Sequence, residues 1–227
     1  MRSILALIAA LCPACFAAAQ TTISFPTEDG GVVFADLYGS AERAVVLAHG
    51  GRFNKESWAV QARALQAAGF EVLAIDFRGY GKSHGPGDRG EPMDAPLEQD
   101  VLAAVRYLHK AGAKSVSIVG GSMGGAAAGD ASIDARPGEI DRIVMLGAAP
   151  NKPANKLKSP SLFIVARDDT SGDGPRLPGI REQYEKAPQP KKLVVLEGSA
   201  HAQYLFQTDQ AERVMQEILQ WLSGSGQ

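Results

Sequence analysis

The run Ser115-Val116-Ser117-Ile118-Val119-Gly120-Gly121-Ser122-Met123-Gly124-Gly125 constrains this chain more than any other stretch. Its β-branched residues favour an extended strand. The strand passes without a spacer into glycines around a serine, then into small residues up to Gly129 that permit close packing. Strand, sharp turn and helix, with a serine at the apex, is the expected order. Gly120-Gly121-Ser122-Met123-Gly124 has the G-x-S-x-G spacing of a nucleophile elbow, which holds the hydroxyl clear of the backbone on a strained turn. The flanking glycines remove side chains that would collide where strand and helix meet, and they tolerate unusual dihedrals.

The first 19 residues read as a secretory signal peptide. Arg2 supplies a positive start, Ile4 to Leu11 an apolar run, and Ala17-Ala18-Ala19 a small-residue cleavage signature. The run is too short to span a bilayer, which takes about 20 residues. Neither Cys12 nor Cys15 follows the pattern of a lipoprotein signal. Both cysteines fall inside this leader, so a mature chain from residue 20 holds none, which excludes disulfides, thiolate catalysis and thiolate metal sites. The expected location is periplasmic or extracellular. Net charge is −2, one unit more negative without Arg2, and no basic stripe stands out, which disfavours nucleic acid as a partner. No second apolar stretch is long enough to span a membrane.

Residues 20–227 read as one domain in which strands alternate with helices. Strands are expected at Thr22–Phe25, Val32–Tyr38, Arg43–Leu47, Glu71–Ile75, Val116–Val119, Ile140–Leu146, Ser161–Val165 and Lys192–Leu196, the first two as a hairpin through Asp29-Gly30. Helices are expected at Ser57–Ala68 with Gly69 as its stop, Leu97–Lys110, just after Ser122, Ile180–Lys186 and Ala211–Leu222. His84 to Pro92 reads as a polar loop and Ser223 to Gln227 as a frayed tail. The pattern implies an α/β fold, a mostly parallel sheet with helices on both faces. Ala148 to Pro160, with three prolines and three lysines, is too short and too broken for a cap domain.

A serine nucleophile needs a base and an acid that orients it. Of the four histidines, His109 lies within a helix, His84 in a polar loop, and His49 directly after a strand. His201 follows the last strand, at the carboxyl end where open α/β sheets bind ligands. It can take the proton of Ser122 and return it to a leaving group. Asp168 and Asp169 follow the Ser161–Val165 strand. Asp169 is the favoured orienting acid, with Asp168 and then Asp173 as alternatives.

The order Ser122, Asp169, His201 is the nucleophile–acid–base order of the α/β-hydrolase fold. The chain resembles that family across nearly all of residues 20–227. The likeness rests on His49-Gly50-Gly51, on Asp76-Phe77-Arg78-Gly79-Tyr80-Gly81-Lys82-Ser83, on the elbow, and on Asp169 with His201. It is specific for the family and says little about substrate. It implies an oxyanion hole from the backbone N–H groups of Met123 and Gly51, with Arg52 as the fallback, and makes His49 a support of that loop. Gly81-Lys82-Ser83 lacks the leading glycine of a phosphate loop, since position 76 is aspartate. Gly85 to Gly90 spells G-x-G-x-x-G but opens no helix. No cofactor is expected, and no residue cluster has metal spacing.

These readings converge on an exported serine hydrolase acting on a small-molecule ester, or an amide, through an acyl-enzyme. Phe53, Trp58, Tyr80 and Tyr204 are candidates to line its pocket, with Trp58 equally suited to the core. A non-catalytic binding protein on the same fold, an acyltransferase and a short-peptide hydrolase are the alternatives.

Overall fold

The computed structural model describes residues 20–88 and 95–224. The expected leader, with Cys12 and Cys15, lies outside them, as do the end of the polar loop and the last three residues of the tail.

Strands β1 (Thr21–Pro26) and β2 (Val32–Tyr38) form the expected hairpin. There follow β3 (Arg43–Ala48), α1 (Ala59–Ala67), β4 (Glu71–Ile75), α2 (Leu97–Ala111), β5 (Ser115–Gly121) and α3 (Met123–Asp134). Next come β6 (Ile143–Leu146), β7 (Ser161–Ala166), a two-stranded ribbon of β8 (Thr170–Ser171) and β9 (Gly174–Pro175), and α4 (Arg176–Lys186). Strand β10 (Lys191–Leu196) and α5 (Ala211–Leu222) complete the order.

The eight-stranded sheet runs β1-β2-β4-β3-β5-β6-β7-β10. Strand β2 is antiparallel to β1 and β4, and every later neighbour pairs in parallel. Alternation along each strand splits the core in two. Val46, Ile118, Met145 and Phe163 face α2, α3 and α4, whereas Val45, Leu47, Val144 and Ile164 face α1 and α5. Burial on both faces explains why these strands read as continuous apolar runs.

The chain goes outward from β3 to β4 and returns across β3 to β5, so the connections diverge between β3 and β5. That is the switch point where such sheets open a crevice at their carboxyl ends. Ala48 pairs with Gly120 in register, so the loop after β3 and the elbow after β5 emerge side by side.

Three elements start two or more residues away from expectation. Strand β6 starts at Ile143 and not at Ile140. Ile140 is buried, but the ladder with β5 begins only at Ile118 opposite Ile143, so its apolar character reports burial and not pairing. Helix α4 starts at Arg176 and not at Ile180. Pro178 sits in the first turn, where the N–H it lacks would have had no partner within the helix. Helix α1 is preceded by a 3-10 turn, Lys55–Trp58, which takes up the start of the expected helix, and Gly69 follows it at φ +88°. Between β6 and β7 the described chain forms one 3-10 turn, Ala154–Lys156, and no cap. Among the described residues no helix is long and apolar enough to cross a membrane.

Candidate active site

Ser122 sits at the tip of the turn between β5 and α3 with φ +50° and ψ −116°, a conformation that is strained for a residue with a Cβ. The neighbouring glycines make room for it. A Cβ on Gly120 would run into the Gly124 backbone, and one on Gly124 into the Ala48 and His49 carbonyls. The Ser122 N–H donates to the Leu146 carbonyl at 2.8 Å, tying the elbow to the end of β6.

His201 reaches the serine from the loop after β10. Its Nε2 lies 2.7 Å from Ser122 Oγ and its Nδ1 2.7 Å from Asp169 Oδ2. A carboxylate only accepts, so Nδ1 carries the proton and Nε2 is left to accept from the serine hydroxyl. Gly147 permits the approach: a Cβ there would stand 3.0 Å from the imidazole. Asp169 is wholly buried just past β7, and its carbonyl accepts the Arg176 N–H at 2.9 Å. Its second oxygen, Oδ1, lies 3.4 Å from Arg176 Nε. Asp168 is exposed, and its backbone N–H, not its side chain, makes the link to the His201 loop by donating to the Gly198 carbonyl at 3.0 Å. Asp173 is exposed in the ribbon's turn. The structure thus brings Ser122, His201 and Asp169 together and leaves the alternative acids outside.

The loop after β3 lies against the elbow. The position of a Cβ on Gly51 is 3.8 Å from Met123 Sδ, so the two residues named for the oxyanion hole are neighbours. Met123 is the first residue of α3, where a backbone N–H has no partner within the helix. Gly51 is held through its carbonyl, which accepts the Tyr80 hydroxyl at 2.8 Å. His49 is buried beneath the loop. Its Nδ1 donates to the Gly50 carbonyl at 2.8 Å, and its Nε2 accepts the Phe77 N–H at 3.2 Å. Burial pushes its pKa below the ordinary 6.5, against the raising influence of the Gly50 bond and of Asp76. A buried neutral histidine that bonds only to backbone is a support, as expected.

Gln203 and Arg176 were not legible in the sequence, and Tyr80, expected in the pocket wall, serves instead through its hydroxyl. Gln203, two residues past His201, accepts the Gly50 N–H at 2.7 Å and donates to Ser57 Oγ at 2.8 Å. Tyr80 acts through its hydroxyl on Gly51. Arg176 flanks Asp169. No spacing rule marks any of them, because each depends on where a loop returns to the sheet. Of the aromatic candidates, Phe53 and Tyr204 line the cleft beside Ser122. Trp58 is fully buried in the core between the sheet and the α1/α5 layer. Asp76 and Arg78 of the Asp76–Ser83 stretch anchor loops. Asp76 accepts the Lys55 N–H at 2.8 Å, and Arg78 bonds Asp100 and Asp29. His109 is held between the Ala113 and Glu139 carbonyls, and His84 pairs with Val32 through its backbone.

This chain resembles known proteins in both sequence and shape. It is 33% identical to bifunctional epoxide hydrolase 2 of Sus scrofa over 123 residues, which are 54% of this chain and 21% of that protein. It is 29% identical to a non-heme chloroperoxidase of Streptomyces lividans over 149 residues, 65% of this chain and 48% of that protein. It therefore spans between about a fifth and a half of the length of these relatives. An esterase of Pyrococcus furiosus superposes with a TM-score of 0.74 at 19% identity, over 90% of this chain and 92% of that one, a likeness of fold alone. The sequence profile of the alpha/beta hydrolase fold matches residues 43–189. That match takes in the loop after β3, the elbow and Asp169, and covers well over half of the chain, which makes this protein a member of the α/β-hydrolase fold family.

Proposed function

We propose that the protein is a serine hydrolase that cleaves a carboxylic ester through an acyl-enzyme. The observation that carries this reading is the unbroken hydrogen-bond chain from Ser122 Oγ through His201 to Asp169, with 2.7 Å at each step. In it Ser122 attacks the acyl carbon while His201 takes the hydroxyl proton. Asp169 holds the imidazole in the required tautomer and stabilises the imidazolium. The developing oxyanion is received by the N–H groups of Gly51 and Met123, each such donor being worth about 10²–10³ in rate. Protonated His201 then returns the proton to the leaving group, and water resolves the acyl-enzyme by the same route. Esters are preferred to amides because an alkoxide or phenoxide leaves more easily than an amine. An exported enzyme, as the pattern of residues 1–19 implies, belongs to the same reading.

Covalent capture tests it. A fluorophosphonate probe should label the folded wild-type protein at Ser122 and leave Ser122→Ala unlabelled. Absence of labelling in the wild type, or equal labelling in the variant, would sink the proposal and leave a binding protein on a hydrolase fold.

A further inference from the structure

Ser122 lies where two lobes of one cleft meet. The first, about 580 Å³, extends over Met123, Ala148 and Ile180 towards Asp130. The second, about 430 Å³, is bounded by Gly51, Arg52, Phe53, His201 and Tyr204. Ser171 and Arg176 border both. A base that protonates the departing oxygen must touch it. His201 lines the second lobe and not the first, so the leaving group belongs in the second and the acyl group in the first.

The two lobes differ in charge. Carboxylates line the first, but they are already engaged. Asp130 accepts from Asn151 Nδ2 and from the Lys152 N–H, both at 2.9 Å, and Glu98 faces Lys152 Nζ at 3.3 Å. Among the described residues, the second has two arginines in its wall and no carboxylate. Asp169 lies buried behind it against His201. Asp168 and Asp173 are outside its lining, and among the described residues neither pairs with Arg52 or Arg176. Arg176 meets Asp169 through Nε alone, and its side chain is 34% exposed. Arg52 is exposed at the rim. The same lobe is lined by Phe53 and Tyr204, whose rings stand 5.0 Å apart at a tilt, with Tyr204 38% exposed. An open aromatic pair beside two guanidinium groups offers a stacking surface for a flat ring and charge-assisted donors for an anion on it.

We propose that this lobe selects leaving groups combining an aromatic ring with a negative charge, so that the preferred substrate is the acyl ester of a carboxylated phenol. The proposal rests on Ser122 acting as the nucleophile. The Ser122 Oγ–acyl carbon bond forms and the acyl carbon–aryl oxygen bond breaks, its electron pair going to the aryl oxygen. The serine proton passes through His201 to that oxygen. Water then adds to the acyl-enzyme, releases the carboxylic acid and restores the serine hydroxyl.

The test compares 4-acetoxybenzoate with its methyl ester, which keeps the ring and removes the charge. Each kcat/KM is divided by the ester's own hydroxide-catalysed rate. Wild type should favour the anion by about tenfold, the scale of one charge-assisted bond. That ratio should fall in Arg52→Gln, vanish in Arg52→Gln with Arg176→Gln, and shrink as salt is raised. In parallel, calorimetry on Ser122→Ala should show 4-hydroxybenzoate binding more tightly than its methyl ester, with the difference reduced on adding Arg52→Gln and lost when Arg176→Gln is added as well. Equal or better handling of the neutral partner, or a preference that survives both arginine substitutions, overturns the proposal. Failure of turnover together with failure of fluorophosphonate labelling condemns the hydrolase reading instead, and the binding comparison still decides the lobe.

Discussion

The side chain of Gln203 accepts the Gly50 N–H at 2.7 Å, a bond that joins residues 153 positions apart. It fastens the loop carrying Gly51 to the turn that follows His201, and its other end fastens Ser57. The loop after β3 and the turn after His201 are thereby tied to each other. Gly50 is also taken out of contention as an oxyanion donor, because its N–H is already bound.

Replacing Gln203 by leucine should loosen that tie. Gly50 would keep a buried N–H without an acceptor, costing about 1–3 kcal/mol of stability, visible as a lower midpoint in urea. Chemistry should suffer as well. With the Gly51 loop held only through Tyr80, kcat on a p-nitrophenyl ester should drop by about tenfold with a smaller change in KM, since the oxyanion exists only in the transition state. Fluorophosphonate labelling should slow in parallel. An unchanged kcat beside a lowered midpoint would mean that Gln203 only braces the fold.

The two adjacent aspartates should separate cleanly. Asp169→Asn presents an amide where the imidazole needs an acceptor, and the loss expected for a wrong tautomer is about 10⁴ in kcat. Asp168 is exposed and touches the site only through its backbone, so Asp168→Asn should stay within about twofold and be neutral in stability, as surface changes usually are. Steady-state kinetics of both variants on one ester decides the matter.

Two glycines in helices should behave in opposite ways. A Cβ on Gly124 meets the Ala48 and His49 carbonyls, which are backbone and cannot turn aside, so Gly124→Ala should give little folded protein. Gly179 in α4 has nothing within 4 Å of its Cβ position, and Gly179→Ala should stabilise by about 0.5–1 kcal/mol through helix propensity. Thermal melts of the two single variants check both signs.

His49 should make the protein acid-sensitive. Burial depresses its pKa in the folded state, so the unfolded chain takes up a proton first as pH falls. Its contribution is complete above the unfolded value of about 6.5, drains as pH drops below it, and levels off below the folded value. Urea midpoints measured at pH 7 and pH 5 should fall together with pH. In His49→Gln the protein should be weaker at pH 7 but lose less between the two, because glutamine does not titrate. A slope identical to wild type would place the sensitivity elsewhere.

Much of this protein was written locally. Continuous apolar runs announce the central strands buried on both faces, the Asp29-Gly30 turn announces the hairpin of β1 and β2, and all eight strands of the main sheet lie where the sequence places them, β6 shortened because Ile140 is buried without being paired. The elbow is equally local, since three successive constraints act within five residues: a strand end, a strained serine and two glycines with no room for a Cβ. His201 and the aspartate pair could be placed at strand ends by chain order alone.

Which aspartate faces the imidazole could not. Residues 168 and 169 are adjacent aspartates just past β7, and what separates them is the path of the loop, which buries one carboxylate and exposes the other. The roles of Gln203 and Tyr80 are of that kind. A side chain that works by reaching a backbone group from a distant loop leaves no period or spacing in the sequence. Hydrophobic pattern and steric demand at neighbouring positions settle the sheet and the turn that carries Ser122. The partners around that turn are settled only when parallel strands bring their carboxyl ends, and the loops beyond them, to one edge.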